Sequence, residues 1–155
     1  MTSPPPSTRP AVRSQPPPAL LMRRVVNPVA RLVTRSPAAR WTGDLALLEF
    51  TTGRTGRLLR IPVLIHHVGS QLLVFTDAGW AANFRSPRRV TLLHRGRRQH
   101  GWARLSADPA ETATALRAAL LRCRSPRRLG LSIDPGHQPT NADLSGLRQM
   151  IAIAI

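Results

Sequence analysis

The sequence predicts a mainly β protein: a small antiparallel β-barrel of six short strands with flanking helices. From Leu45 to Leu105 apolar residues recur with a period of two between glycine-containing turns, the pattern of half-buried strands. No helix long enough for a parallel crossover separates these strands, which argues against a doubly wound sheet. A last apolar segment follows a single well-marked helix and is placed to close the sheet, and closure removes exposed strand edges.

Taken in order, residues 1–18 hold 7 of the 15 prolines and read as a disordered Pro/Arg-rich tail. Residues 19–40 form an amphipathic N-terminal helix region. At about 100° per residue, Arg23, Arg24, Arg31 and Arg35 share one face of 19–35, opposite Leu21, Met22, Val25, Val29, Leu32 and Val33. Pro28 should kink or split it. Packing against the barrel is the favoured role, and peripheral contact with a membrane surface through residues 19–35 is the alternative for such a basic helix.

Residues 41–155 make the barrel domain. Strands are expected at Leu45–Thr51, at Leu59–His66 where Leu59, Ile61, Val63 and Ile65 alternate with their neighbours, at Leu72–Thr76, at Val90–His94 and at Gln99–Leu105. Trp80–Arg85 has room for one helical turn. Asp108, Pro109 and Glu111 start a helix as N-cap, first-turn proline and capping-box partner, with Ala113, Leu116, Leu120 and Cys123 as its buried stripe. Ser125-Pro126 ends it. Residues 126–146 read as irregular around an Asp134-Pro135-Gly136 turn, and Met150–Ile155 as the last strand.

Composition excludes several kinds of chemistry. Cys123 is the only cysteine, so no internal disulfide and no Cys-rich zinc or iron–sulfur site can form, as suits a reducing cytoplasm. No apolar run approaches the roughly 20 residues of a spanning helix, and the N-terminus lacks the apolar core of a secretory signal. His66 and His67 point to opposite faces of a strand, and none of the seven carboxylates stands at ligand spacing to a histidine, so no metal site is expected. A Gly-x-Ser-x-Gly elbow is missing, Gly53-Arg54-Thr55-Gly56 lacks the Gly-Lys-Ser/Thr ending of a P-loop, and no carboxylate pair suits acid–base hydrolysis.

The net charge is +16, carried entirely by arginine, a usage that codon bias explains as readily as function. It permits an anionic partner, nucleic acid, acidic lipid or a phosphorylated cofactor. An Arg-rich nucleic-acid-binding module stays an alternative on charge alone, because the tryptophans form no stacking row among the arginines. No helix-turn-helix or zinc-finger pattern is present, and Arg88-Arg89 and Arg97-Arg98 read as a solvated hairpin face.

Two segments carry the positive reading. Thr51 to Pro62 places a glycine turn between strands with Arg54, Arg57 and Arg60 around it, suited by its backbone N–H groups and guanidinium groups to a phosphate or carboxylate tail. Phe75 to Val90 ends a strand in the small residues Ala78 and Gly79, where a planar ring can approach the backbone, and then begins a helical turn.

In this order the segments resemble the deazaflavin (F420)-dependent nitroreductase family, among the split β-barrel flavin-binding oxidoreductases. The carrying residues are Thr51-Thr52-Gly53-Arg54, Gly56, Arg60, Pro62, Trp80-x-x-Asn83, Pro87 before Val90, and Gly101–Leu105 leading into Asp108-Pro109-Ala110-Glu111. The resemblance covers about residues 20–125 and the last strand. It implies an FMN-binding-like split barrel, cytoplasmic or peripheral at the inner membrane face, that binds F420, with FMN the alternative. Arg54, Thr55, Arg57 and Arg60 would meet the phosphate and acidic tail. Thr76, Asp77, Ala78 and Gly79 would line the ring, Trp80 and Asn83 would shape the pocket, and Pro62 would be a further cofactor-binding residue. The implied activity is hydride transfer from the reduced cofactor to a small-molecule electron acceptor, a quinone, nitroaromatic or enone, by a monomer or homodimer.

The chain departs from the family in having no tyrosine, a short 77–80 loop and a displaced Pro87. His66 or His100 could serve as proton donor instead, and the alternative is a barrel that binds cofactor, or another anionic ligand, without catalysis.

Overall fold

The computed structural model describes residues 10–15, 44–123 and 125–155. The expected helix and membrane contact at 19–35, and residues 1–9 and 16–18 of the expected tail, lie outside the described residues.

The strands are β1 (Val12–Ser14), β2 (Leu45–Thr51), β3 (Leu58–Leu64), β4 (His66–Val68), β5 (Gln71–Thr76), β6 (Arg88–His94), β7 (Arg97–Leu105), β8 (Leu131–Ile133) and β9 (Gln149–Ala154). The helices are α1 (Pro109–Arg122) and α2 (Asn141–Leu144), with 3-10 turns at Gly79–Phe84 and Pro126–Leu129. A seven-stranded antiparallel sheet in the order β3-β2-β6-β7-β9-β5-β4 curls into a half-barrel, and β1 and β8 form a second, two-stranded sheet.

Alternation along the strands sets the core. Ala46, Leu48 and Phe50 of β2, Val63 of β3, Val74 of β5, Val90 and Leu92 of β6, Ala103 of β7 and Ile151 and Ile153 of β9 are all buried in one cluster. The last strand lies inside the sheet: β9 pairs with β5 from Thr76↔Gln149 to Leu72↔Ile153, and with β7 from Leu105↔Ile151 to Trp102↔Ala154.

The expected six strands become seven in this sheet because the run from Leu59 to His66 is divided. The inward alternation Leu59, Ile61, Val63, Ile65 is unbroken, so the sequence reads as one strand. After Leu64 the chain leaves β2. Ile65 donates its N–H to the Asp44 carbonyl at 2.8 Å, and His66 opens β4, which pairs with β5 at the opposite end of the sheet. The two ends of the sheet are therefore consecutive in sequence, and no ladder joins them.

A second cluster covers the outer side of β4 and β5. Ala113, Leu116 and Ala119 of α1, Leu144 of α2, Leu129, Leu131 and Val12 pack together, with Val68 and Phe75 against them. Three sequence expectations change here. The tail expected to be disordered over 1–18 contains β1, where Val12↔Ile133 pairs residues far apart in sequence and Val12 is buried. The segment expected to be irregular over 126–146 holds β8 and α2. Glu111 does not complete a capping box on α1: Asp108 accepts from the Ala110 N–H at 2.8 Å, while Glu111 accepts from the Ser106 hydroxyl at 2.6 Å. The reciprocal box belongs to α2, between Thr140 and Asp143. Bonds from the Thr140 N–H and hydroxyl, then from His137, hold the Asp143 carboxyl below its ordinary range.

Candidate functional site

The Thr51–Pro62 hairpin and the Gly79–Phe84 corner meet. The Asn83 side-chain oxygen accepts from the Gly53 N–H at 3.3 Å, and its amide donates to the Trp80 carbonyl at 2.9 Å. Arg88 ties the same two segments: Nε donates to the Asn83 carbonyl at 3.1 Å and Nη1 to the Thr51 carbonyl at 3.0 Å. One amide and one guanidinium thus fix an exposed turn against the rim of the barrel.

The turn differs from expectation in its donors. Its backbone N–H groups are largely used internally. Thr52 donates to the Arg57 carbonyl at 2.9 Å, Gly56 to the Thr52 carbonyl at 3.1 Å and Arg57 to the Thr52 hydroxyl at 3.1 Å, and Gly53 serves Asn83. Thr55 spends its hydroxyl on Thr52 at 2.7 Å. What the turn offers an anion is the side chains of Arg54 and Arg57, both exposed and outside every ion pair formed among the described residues. Arg60 is engaged differently: its Nε lies 3.3 Å from Glu49, which also meets Arg98 at 3.5 Å.

The other predicted residues divide between the two cores. Trp80 packs inward, its ring 6.1 Å from those of Phe50 and Phe84, and its indole N–H is buried without a hydrogen-bond partner among the described residues. The Thr76 hydroxyl accepts from the Ala78 N–H at 3.1 Å. A β-carbon added at Gly79 would meet nothing within 4 Å, so the strand end is open there. Asp77 turns toward the second core, 3.0 Å from Arg148 and 3.4 Å from the Ser14 hydroxyl. Pro62 is half-buried on β3, opposite Leu47.

The two histidines are not brought together. His66 is buried on β4, its Nδ1 3.8 Å from the Cys123 sulfur and its ring 5.7 Å from that of Phe75. Burial lowers the His66 pKa and raises that of the Cys123 thiol, so both stay neutral and neither is activated. With the folded pKa below the ordinary 6.5, the unfolded chain binds more protons as pH falls through that value, so stability should drop from pH about 6.5 downward. Urea midpoints at pH 7.5 and 5.5 check this: His66→Leu should flatten part of the slope, and an unchanged slope refutes the assignment.

His100 lies on the outer face of β7, its Nδ1 3.1 Å from the Thr91 hydroxyl. It borders a groove of about 720 Å³ that crosses β2, β6, β7 and β9 and reaches Thr51 and Leu58 at the base of the arginine hairpin. Trp102 stands in this groove with the Arg89 guanidinium 5.5 Å from its ring centre. Sequence reading placed Arg89 on a solvated face. Counting outward from Arg95-Gly96 gives the register Thr91↔His100 and Arg89↔Trp102, the signal that would have found the cluster.

The carboxylates of this basic chain are occupied. Asp44, Glu49, Asp77 and Asp134 pair with arginines, Asp143 with His137, Asp108 caps α1 and Glu111 holds Ser106. That is all seven, so each already has a partner that a base or nucleophile role would displace. Among the described residues, no group of three or more His, Cys, Asp or Glu side chains is placed to hold a metal ion, and no helix is long and apolar enough to cross a membrane. No protein-family model matches the chain, and none of the curated proteins compared with it is significantly similar.

Proposed function

We propose that the chain is an FMN-binding-like split β-barrel that binds a deazaflavin, F420, and acts as a nitroreductase-type oxidoreductase in the cytoplasm, with FMN the alternative cofactor. The observation that carries this reading is the double tie between the hairpin and the corner, through Asn83 and Arg88, which joins the two segments the reading requires to form one site.

The residues present fit such a ligand at both ends. Arg54 and Arg57 are exposed cations without carboxylate partners among the described residues, suited to a phosphate and an acidic tail. Gly79 leaves the strand end open, where a planar ring could approach the backbone. Arg60 and Asp77 belong to internal ion pairs and drop out of the proposed contact set. When bound, the cofactor would supply hydride chemistry toward a quinone, nitroaromatic or enone, and the chain would supply position and positive potential.

Fluorescence titrations with F420 and FMN test the reading. Micromolar binding of one of them is expected, weakened at least about ten-fold by Arg54→Glu/Arg57→Glu, since reversing two charges removes charge-assisted contacts and adds repulsion. Micromolar binding by neither ends the proposal. Binding without turnover of menadione or a nitroaromatic supports the non-catalytic barrel instead.

A further inference from the structure

We propose that the groove on the outer face of β2, β6, β7 and β9 is a second ligand site, built for a planar aromatic anion of the aryl carboxylate class. Four large apolar side chains are prominently exposed among the described residues. Three of them, Leu58 (52%), Trp102 (50%) and Ile155 (52%), line this one groove. Scattered exposed apolar residues are ordinary; their convergence in one concavity marks a binding surface. The volume of about 720 Å³ is suited to a small molecule.

Charge decides the class of ligand. Among the described residues that line the groove, Glu49 is the one carboxylate side chain, and Arg60 and Arg98 already flank it at 3.3 and 3.5 Å. Arg89 has no carboxylate partner among the described residues, and it sits over the Trp102 ring, which steadies both side chains. An indole half open to solvent, with a guanidinium beside it, presents a flat apolar surface and a bidentate donor together. Thr91 holds His100 at the same rim. An aromatic ring with a carboxylate matches this pairing, and a neutral ring matches only half of it. Single-stranded nucleic acid fits less well, because among the described lining residues only Trp102 and His100 carry open rings, too short a row for successive stacked bases, whereas Phe50 is buried in the core.

The site is independent of the cofactor reading, and its variants differ from those that test that reading. The experiment is calorimetric titration of the full chain with 2-naphthoate and with 2-naphthalenemethanol at about 0.15 M salt, where surface charge attraction is screened. Naphthoate should bind at least about ten-fold more tightly than the alcohol. Arg89→Gln should abolish that preference, Trp102→Ala should weaken both ligands about ten-fold, and Trp102→Phe should recover most of the loss. Arg117→Gln, an exposed arginine on α1, should change neither. Equal affinity for acid and alcohol, or indifference to Trp102→Ala, overturns the proposal. So does an oligothymidylate that binds at this salt and loses its affinity in Trp102→Ala, or a dimer that this substitution dissolves.

Discussion

Replacing Asp77 by alanine should cost the fold about 2–3 kcal/mol and loosen β1 from the rest of the chain. The reason is Arg148, whose side chain is 3% exposed and whose Nη1 lies 3.0 Å from Asp77. Its Nη2 donates to the carbonyls of Gly130 and, at 3.5 Å, Gln15. Removing the acid leaves a buried guanidinium with two carbonyls and no counter-charge, and breaking a buried pair from one side costs about 3–5 kcal/mol. The lower figure applies because Asp77 itself is 43% exposed and partly screened by water. Asp77→Asn, which keeps an acceptor but loses the charge, should fall between.

Arg148 reaches three separate elements, so the damage should be regional. Gly130 turns the chain into β8 at φ +68 and leaves no room for a side chain beside the guanidinium; Gln15 follows β1, and Asp77 follows β5. Urea denaturation gives the global cost, and amide hydrogen exchange at residues 12–14 should report the loosening. If Asp77→Ala leaves stability intact but lowers F420 affinity, the residue borders the ring as the family resemblance implied, and the ion pair carries little.

The strands of the half-barrel were legible because a period of two and the turn glycines act locally. The apolar run after a capped helix also gave β9 as a last strand, but not its place between β7 and β5. Partnerships set at long range were not legible. Three residues of β1, Val12–Ser14, sit in a proline-rich segment, and only pairing with β8 makes Val12 a core residue. The division at Ile65 leaves no trace, since the inward alternation runs through it. For α2 a Thr140-x-x-Asp143 signature was present, but a four-residue helix has no apolar period to draw attention to it.

The candidate site divides in the same way. The order of motifs pointed to one pocket shared by hairpin and corner, and the resemblance named Asn83, whose side-chain oxygen accepts from the Gly53 N–H. The turn's N–H groups were misjudged because the Thr52 hydroxyl and carbonyl take two of them. The arginine turn suggested Arg60 and the resemblance suggested Asp77 as ligand contacts, but each is exposed and pairs with a buried partner, Glu49 or Arg148. The groove was missed for want of register, which turns Arg89, Thr91, His100 and Trp102 from a sequence pattern into one surface.

Gly101→Ala should destabilise the chain by about 2–3 kcal/mol, the upper part of the range for overpacking. An added β-carbon would stand 2.1 Å from the Ala154 carbonyl oxygen and 3.1 Å from the Ile155 α-carbon. Both are backbone atoms, so no rotamer change relieves the contact, and the β7–β9 ladder must spread near Trp102↔Ala154. Ala154 lies one residue past the β5–β9 ladder, so the strain falls on the terminal pair of the β7–β9 ladder. Gly79→Ala is the matched control: nothing lies within 4 Å of its β-carbon, and the change should stay within about 0.5 kcal/mol. Thermal melts of the two variants should separate clearly, and equal melting temperatures would mean that β7 and β9 do not approach so closely. Gly101 also borders the groove beside Trp102, so naphthoate affinity should fall with stability in Gly101→Ala and hold in Gly79→Ala. That joint loss would tie the groove's shape to the close approach of the two strands beneath it.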